Sequence, residues 1–176
     1  MNEFERDDAA QWEAAEEASE MMLEGDYHDA LVRLRDVIKS DPRNPYAYFY
    51  TGTALFEIGQ FGAAAGAYRA AIKISPRYTG ARVGLSHCLR IEDEPRAAAA
   101  EARKALELSP GDGDALFALG LAQAALGDKV GARRSLEAFL HTGPEFEASA
   151  EARAILARMQ EPDSDNDNDS DLDDIN

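Results

Sequence analysis

Apolar and polar positions repeat along the chain with a fixed step of 34 residues. Large aliphatic residues, alanines and prolines each keep this step in four places. The three columns are Ile38, Ile72, Leu106 and Leu140; Ala30, Ala64, Ala98 and Ala132; and Pro42, Pro76, Pro110 and Pro144. Gly25, Gly59 and Gly127 keep it too, with Asp93 in the missing place. A period of this length predicts stacked structural repeats.

Each repeat predicts two helices joined by a short turn. In the second repeat the helices are expected at 45–58 and 61–74. Gly59 supplies a permissive backbone at the end of the first helix. Pro76 ends the second helix because proline lacks an amide donor and disfavours helix in the residue before it. Pro42 ends the previous helix in the same way, and Pro45 begins the next one, where proline is tolerated.

Two columns of small residues predict close contact between the paired helices. One is the alanine column, on the second helices. The other lies on the first helices and consists of Ala18, Gly52, Ser86 and Gly120. Small residues that face each other allow two helices to approach closely. The aliphatic column of Ile38 is then expected to fill the space between neighbouring hairpins.

These columns resemble the pattern of the tetratricopeptide repeat (TPR) family, most clearly in LEGDYHDALVRLRDVIKSDP and FEIGQFGAAAGAYRAAIKISP. Four units match, at 11–44, 45–78, 79–112 and 113–146, and cover 136 of the 176 residues. The third unit departs from the family pattern, with Asp93 for glycine and Pro95 for an aromatic residue. We interpret Pro95 as a first-turn residue of the second helix, capped by the acidic residues before it.

The resemblance implies an all-α fold, a right-handed α-solenoid of stacked antiparallel helix pairs with about nine helices. The domain is expected at 11–160, after an acidic N-terminal extension at 1–10. Glu17 and Glu20 replace apolar residues of later units, so the first helix should cap the stack. A capping helix is expected at 147–160, because Ala148, Ala152, Ile155, Leu156 and Met159 share one stripe.

In TPR proteins the first helices line a concave surface, which we call the groove. Its expected residues lie at the second, fifth, ninth and twelfth positions of the first helices, with Tyr50 beside them. They are Trp12, Tyr46, Phe49, Tyr50, Thr53, Phe56, Val83, His87, Arg90, Phe117 and Leu121. The aromatic residues would form a wall beside a gap at Gly80 and Gly84, a seat for an apolar side chain. Alternatively, each ring belongs to the core between helices.

Some TPR domains hold the C-terminal carboxylates of heat-shock chaperones with lysine, asparagine and arginine. The matching places in this chain are Ala15, Ser19, Tyr50, Gly80 and Gly84. None of these residues is a lysine, asparagine or arginine, so that clamp is absent. The sequence therefore does not predict a receptor for chaperone tails.

The charge balance limits the class of partner. The chain has 34 acidic and 18 basic residues, a net charge of −16. Such a chain repels nucleic-acid backbones and anionic membranes, so the expected partner is apolar or basic. No apolar stretch approaches the roughly 18 residues of a membrane span. The first residues, MNEFERDD, do not resemble a signal peptide, which makes the cytoplasm the expected location.

The last residues, 161–176, carry eight acids and no base. Such a run cannot bury enough surface to fold, so a disordered, solvated acidic tail is expected. It would contact a basic protein surface, guard the groove electrostatically, or only keep the protein soluble.

No catalytic, metal or cofactor site is predicted. Ser86, His87 and Cys88 are adjacent, but consecutive helical residues point about 100° apart. The three histidines lie in different repeats, without a second ligand at metal-binding spacing. No glycine-rich phosphate loop is present.

The sequence favours a non-catalytic adaptor that binds an extended or helical apolar segment of another protein in the groove. The alternative is a cytoplasmic chaperone of a secreted or apolar client. In size, charge and architecture the chain is similar to the translocator chaperones of type III secretion. An enzyme would need a catalytic group in the groove, where His87 and Arg90 form the only polar cluster. The partner, its pathway and the oligomeric state are not encoded in any of these patterns.

Overall fold

The computed structural model of the chain describes residues 3–159, and side chains from residue 8 onwards. The tail predicted at 161–176 lies outside these residues. Within the described range the chain forms nine helices and no strand. The helices are α1 (Glu3–Leu23), α2 (Tyr27–Ser40), α3 (Pro45–Glu57), α4 (Phe61–Ile74), α5 (Thr79–Ile91), α6 (Pro95–Leu108), α7 (Gly113–Ala125), α8 (Lys129–His141) and α9 (Phe146–Arg158). The all-α repeat architecture is confirmed, and α3 and α4 agree with the prediction to within one residue.

The helices form four antiparallel hairpins that stack in chain order. Each second helix packs on its own first helix and on the first helix of the next hairpin. The first helices α1, α3, α5 and α7 also pack on one another, whereas no comparable contact joins the second helices in the described part of the chain. The layer of first helices therefore has the closer spacing and lies on the inner, concave side of the curved stack.

The two ends of the stack differ in polarity as expected. At the N-terminal end Glu17 and Glu20 are exposed, and Glu17 pairs with Arg33 at 2.6 Å. At the C-terminal end α9 buries Ala152 and Ile155 against α7 and α8. The helix α1 begins at Glu3, so residues 3–10, assigned to an acidic extension, continue the first helix of the stack.

The columns of small residues lie where the paired helices meet, as predicted. Ala30, Ala64, Ala98 and Ala132 are fully buried. Ser86 belongs to the facing column and is also buried, and its hydroxyl donates a hydrogen bond to the Ala98 carbonyl at 2.9 Å. A polar residue is tolerated there because its one donor is satisfied.

The second helices carry a further buried column, which the sequence pattern did not reveal. Its members are Leu34, Tyr68, Ala102 and Leu136. The Tyr68 ring lies between α3 and α5, in the space that the glycines of both helices leave. A Cβ atom at Gly52 would stand 2.8 Å from the Tyr68 ring, and one at Gly84 would overlap it. Leu136 is placed against Gly120 in the same way, 2.7 Å from such a Cβ atom.

The turn of the third hairpin keeps the geometry of the others. Gly25, Gly59 and Gly127 have φ values of 87°, 77° and 75°, and Asp93 has φ of 62°. Aspartate is one of the few residues that tolerate this left-handed conformation. Pro95 begins α6, as expected. The predicted acidic cap is wrong, however, because the Glu94 side chain makes no capping hydrogen bond.

We expect Gly84→Ala and Gly66→Ala to change stability in opposite directions. Both glycines lie inside helices, but the Cβ position of Gly66 is open whereas that of Gly84 is occupied by the Tyr68 ring. Gly66→Ala should stabilise the fold by about 0.5–1 kcal/mol through helix propensity. Gly84→Ala should destabilise it by about 1–3 kcal/mol through overpacking. Urea denaturation measures both, and shifts of equal sign would show that Tyr68 does not set the helix spacing.

Candidate functional site

The residues predicted to line the groove lie on the inner layer of helices, at three levels of burial. Trp12 is the most open, with 42% of its surface exposed. Val83 and Leu121 are buried, at 8% and 7% exposure. The other eight are half-buried: Tyr46, Phe49, Tyr50, Thr53, Phe56, His87, Arg90 and Phe117. Val83 and Leu121 thus lie beneath the surface that the half-buried side chains form.

Five rings form a first aromatic cluster across α1, α3 and the start of α5. They are Trp12, Tyr46, Phe49, Tyr50 and Tyr78. The Trp12 ring centre lies 5.3 Å from that of Tyr46 and 5.9 Å from that of Tyr50. Phe49 lies 4.9 Å from Tyr78. These separations are typical of favourable edge and tilted pairs, so the rings hold each other in place.

Tyr78 is the member of this cluster that the helical spacing did not reveal. It precedes α5 as the N-cap residue and is not part of any helical stripe. Its ring nevertheless contacts Tyr46 and Phe49, and burial raises the pKa of its hydroxyl. The only signal in the sequence was an aromatic residue two positions after Pro76, at the end of the second repeat.

A second aromatic cluster crosses α3, α5 and α7. Phe56 lies 6.5 Å from His87, and His87 lies 6.4 Å from Phe117. The imidazole on α5 therefore lies between two rings from the first helices on either side, α3 and α7. The outer rings of the cluster come from second helices, Phe61 beside Phe56 at 5.2 Å and Phe139 beside Phe117 at 4.7 Å.

His87 is held in the neutral state at pH 7. Burial, and to a lesser degree the positive charge of Arg90, lowers the pKa of His87 from 6.5 to about 4. The Nε atom of Arg90 is itself buried and has no hydrogen-bond partner. Within the described residues the Arg90 guanidinium forms no ion pair. The second cluster thus carries one uncompensated cation beside apolar rings.

The predicted glycine gap is not open. The Tyr68 ring fills the space beside Gly84. A Cβ atom at Gly80 would stand 3.3 Å from Phe49 and 3.5 Å from Tyr78. The expectation of a gap is therefore wrong, since the chain's own rings occupy it. A bound side chain would instead contact the open edges of the clusters.

The first cluster has a polar edge formed by α1. The Tyr46 hydroxyl donates a hydrogen bond of 2.8 Å to the Asp8 carboxylate. Burial, with the help of this hydrogen bond, raises the pKa of Tyr46 to about 12. The first turns of α1, which begins at Glu3, therefore hold the Tyr46 ring at the open end of the first aromatic cluster.

The nucleophilic side chains on either side of His87, Ser86 and Cys88, are buried in the packing between helices. The hydroxyl of Ser86 is used in its hydrogen bond to Ala98, and Cys88 is fully buried. Burial raises the pKa of the Cys88 thiol to about 11, which makes it a poor nucleophile at neutral pH. Among residues 8–159 no group of three or more His, Cys, Asp or Glu side chains is arranged to hold a metal ion. None of the helices described is both long and apolar enough to cross a membrane.

Comparisons with known proteins agree with this architecture. A family model described as Tetratricopeptide repeat matches residues 24–79 and 92–146. No curated protein matches the sequence significantly. The structure resembles MamA (41-end) from Desulfovibrio magneticus RS-1, with a TM-score of 0.70, 17% identity and coverage of 84% of this chain and 85% of that chain.

Two other solved structures are similar in fold. TTC0263, a thermophilic TPR protein in Thermus thermophilus, has a TM-score of 0.69 and 21% identity, over 85% of this chain and 80% of that one. The first TPR of Spaghetti (RPAP3), bound to the HSP90 peptide SRMEEVD, has a TM-score of 0.60 and 19% identity, over 66% of this chain and 94% of that one. At these identities the likeness concerns the fold.

The lowered pKa of His87 predicts a loss of stability in acid. Between pH 6.5 and 4 the unfolded chain binds a proton that the folded protein does not, so the free energy of unfolding falls as pH falls. His87→Gln removes this contribution. Urea denaturation at pH 7 and pH 4.5 gives the free energy of unfolding at each pH. The fall in this free energy between the two pH values should be roughly 2 kcal/mol smaller in His87→Gln than in the wild type. Equal losses would mean that His87 titrates normally in the folded state.

Proposed function

The chain belongs to the tetratricopeptide repeat family, and we propose that it is a non-catalytic adaptor whose groove binds an extended or helical apolar segment of another protein. The observation that carries the proposal is the pair of aromatic clusters on the inner layer of helices. The first cluster joins α1, α3 and the start of α5, the second joins α3, α5 and α7, and Trp12 leaves 42% of its own surface uncovered. Large rings that are already fixed in place bind an apolar segment at a low cost in conformational entropy.

The partner is expected to differ from the HSP90 peptide seen with Spaghetti (RPAP3). At the places where chaperone-tail receptors carry lysine, asparagine and arginine, this chain has side chains without positive charge. Ala15 is fully buried, and the Ser19 hydroxyl is used in a hydrogen bond to the Glu16 carbonyl at 2.7 Å. Gly80 and Gly84 lie against the chain's own rings. The arrangement supports recognition through apolar contacts rather than through a terminal carboxylate.

The same apolar surface also suits a chaperone that covers part of a secreted or apolar client. The two functions differ in what the partner does alone. A client would aggregate or be degraded when this chain is removed, whereas the partner of an adaptor would stay folded. Expression of the partner in cells with and without this chain would distinguish the two.

We expect the double variant Trp12→Ala/Tyr46→Ala to lose its partner while it keeps its helical circular dichroism. Truncation of a buried aromatic anchor typically costs about 2 kcal/mol, a roughly 30-fold loss of affinity for each ring. The partner would first be captured from extract of the source cells, then purified and titrated against each variant.

Val32→Ala is the matched control, because Val32 is an exposed apolar residue on the second helix α2. It should bind the partner as the wild type does. Wild-type affinity in the double variant would refute the groove as the binding surface. A parallel loss of folding and binding would identify the rings as core.

A further inference from the structure

Arg90 is the only charged side chain among the eleven residues predicted to line the groove. Arg90 lies one helical turn after His87 on α5, and residues three apart share a helix face. It therefore lies beside the second aromatic cluster. Its Nε atom is buried without a partner, and its charge acts on the imidazole of His87.

Among the lysines and arginines of residues 8–159 only Arg82 and Arg90 are not exposed, and the Nε atom of each is buried without a hydrogen-bond partner. Arg82 is the most buried of those with an ion pair, and it is bound by Glu101 at 2.7 Å. Arg33 and Lys104 are likewise paired with glutamates. Arg90 differs from Arg82 in having no carboxylate of the described residues within ion-pair distance, although the chain carries a net charge of −16. A charge at such a surface interacts strongly with a counter-ion, because the nearby protein has a low dielectric constant.

We infer that Arg90 binds a side-chain carboxylate of the partner, so that the groove recognises an apolar segment containing an aspartate or glutamate. This inference rests on the proposed function. Neutral His87 contributes no second positive charge, and Phe56 and Phe117 supply apolar contacts on either side. The site thus suits one carboxylate between apolar residues rather than a group of higher charge.

The repeat geometry also sets a distance between the acidic residue and an apolar anchor at Trp12. Trp12 is the second residue of its repeat and Arg90 the twelfth, a difference of about 15 Å along parallel helices. The helices α1 and α5 are two spacings apart, roughly 20 Å. The two sites are then about 25 Å apart, which an extended segment spans with about seven residues at roughly 3.3 Å each.

The role of Arg90 and the spacing can both be tested with a phage-displayed library of random decapeptides, selected on the immobilised full chain. The wild type should select sequences with a large apolar residue and, about seven residues away, an aspartate or glutamate. Arg90→Gln should select the apolar residue without the acid. Arg103→Gln is the matched control, because it removes the same charge from an exposed position on the second helix α6, and it should select as the wild type does.

A selected peptide and its Glu→Gln or Asp→Asn counterpart would then be titrated. Trp12 is the single tryptophan of the chain, so its fluorescence reports binding in the groove. The acidic peptide should bind the wild type about tenfold more tightly than its neutral counterpart. The ratio should fall to about one in Arg90→Gln and recover in part in Arg90→Lys. An acid preference that persists in Arg90→Gln, or none in the wild type, would overturn the inference.

Two other results have separate meanings. Apolar sequences without an acid would leave the proposed function intact and refute the role of Arg90, whereas no apolar selection at all would refute the proposed function. A full chain with the eight acids of 161–176 changed to Asn or Gln tests the chain's own carboxylates. Acid selection that appears only in this variant would make the tail, not a partner, the occupant of Arg90.

Discussion

The contact of the Tyr68 ring with a glycine on each of two neighbouring helices is the interaction on which the rest of the structure depends. Gly52 on α3 and Gly84 on α5 leave space on either side, and the ring occupies it. Its hydroxyl lies 3.2 Å from the Thr53 hydroxyl, so the buried polar atom keeps a hydrogen-bond partner. This contact sets the spacing between two first helices. At this spacing the Phe56 ring of α3 lies 6.5 Å from the His87 ring of α5.

The inner surface is electrostatically unlike the chain as a whole. The chain carries a net charge of −16, yet Arg90 is the only charged side chain among the residues predicted to line the groove. An acidic segment that approaches such a chain is repelled at long range and attracted only near Arg90. Salt screens the repulsion beyond about 10 Å at 0.1 M, whereas the contact at Arg90, formed close to apolar rings, is screened less. The preference for a segment that pairs with Arg90 would then arise mainly from a slower dissociation of the complex.

Membership of a repeat family settles the architecture and leaves the partner open. The same hairpins can present lysines and asparagines to a terminal carboxylate, or rings to an apolar segment, because function depends on the particular side chains that a fold carries. In this chain the buried alanine columns maintain the stack. The rings at the second, fifth and twelfth positions of α3, Tyr46, Phe49 and Phe56, also pack against this core.

The sequence determined the local structure of each repeat. The 34-residue step, the helix ends at Gly59 and Pro76 and the burial of Ala64 followed from it, because backbone freedom, a missing amide donor and a small side chain act within one repeat. Even the turn at Asp93 keeps its place, since aspartate tolerates the conformation of the glycine it replaces. The acidic cap before Pro95 was wrong because a capping residue type does not ensure that its side chain turns toward the free amides.

Only the tertiary structure decided which side chains of the groove stripe remain accessible. Helical spacing places Val83, Phe56 and Leu121 on similar faces, but Val83 and Leu121 are buried whereas Phe56 is only half-buried. The space at Gly84 could not be assigned either, because the ring that fills it comes from another helix. Tyr78 joins the first cluster from a position between helices. Burial depends on neighbours brought together by stacking, and the spacing within one helix does not contain that information.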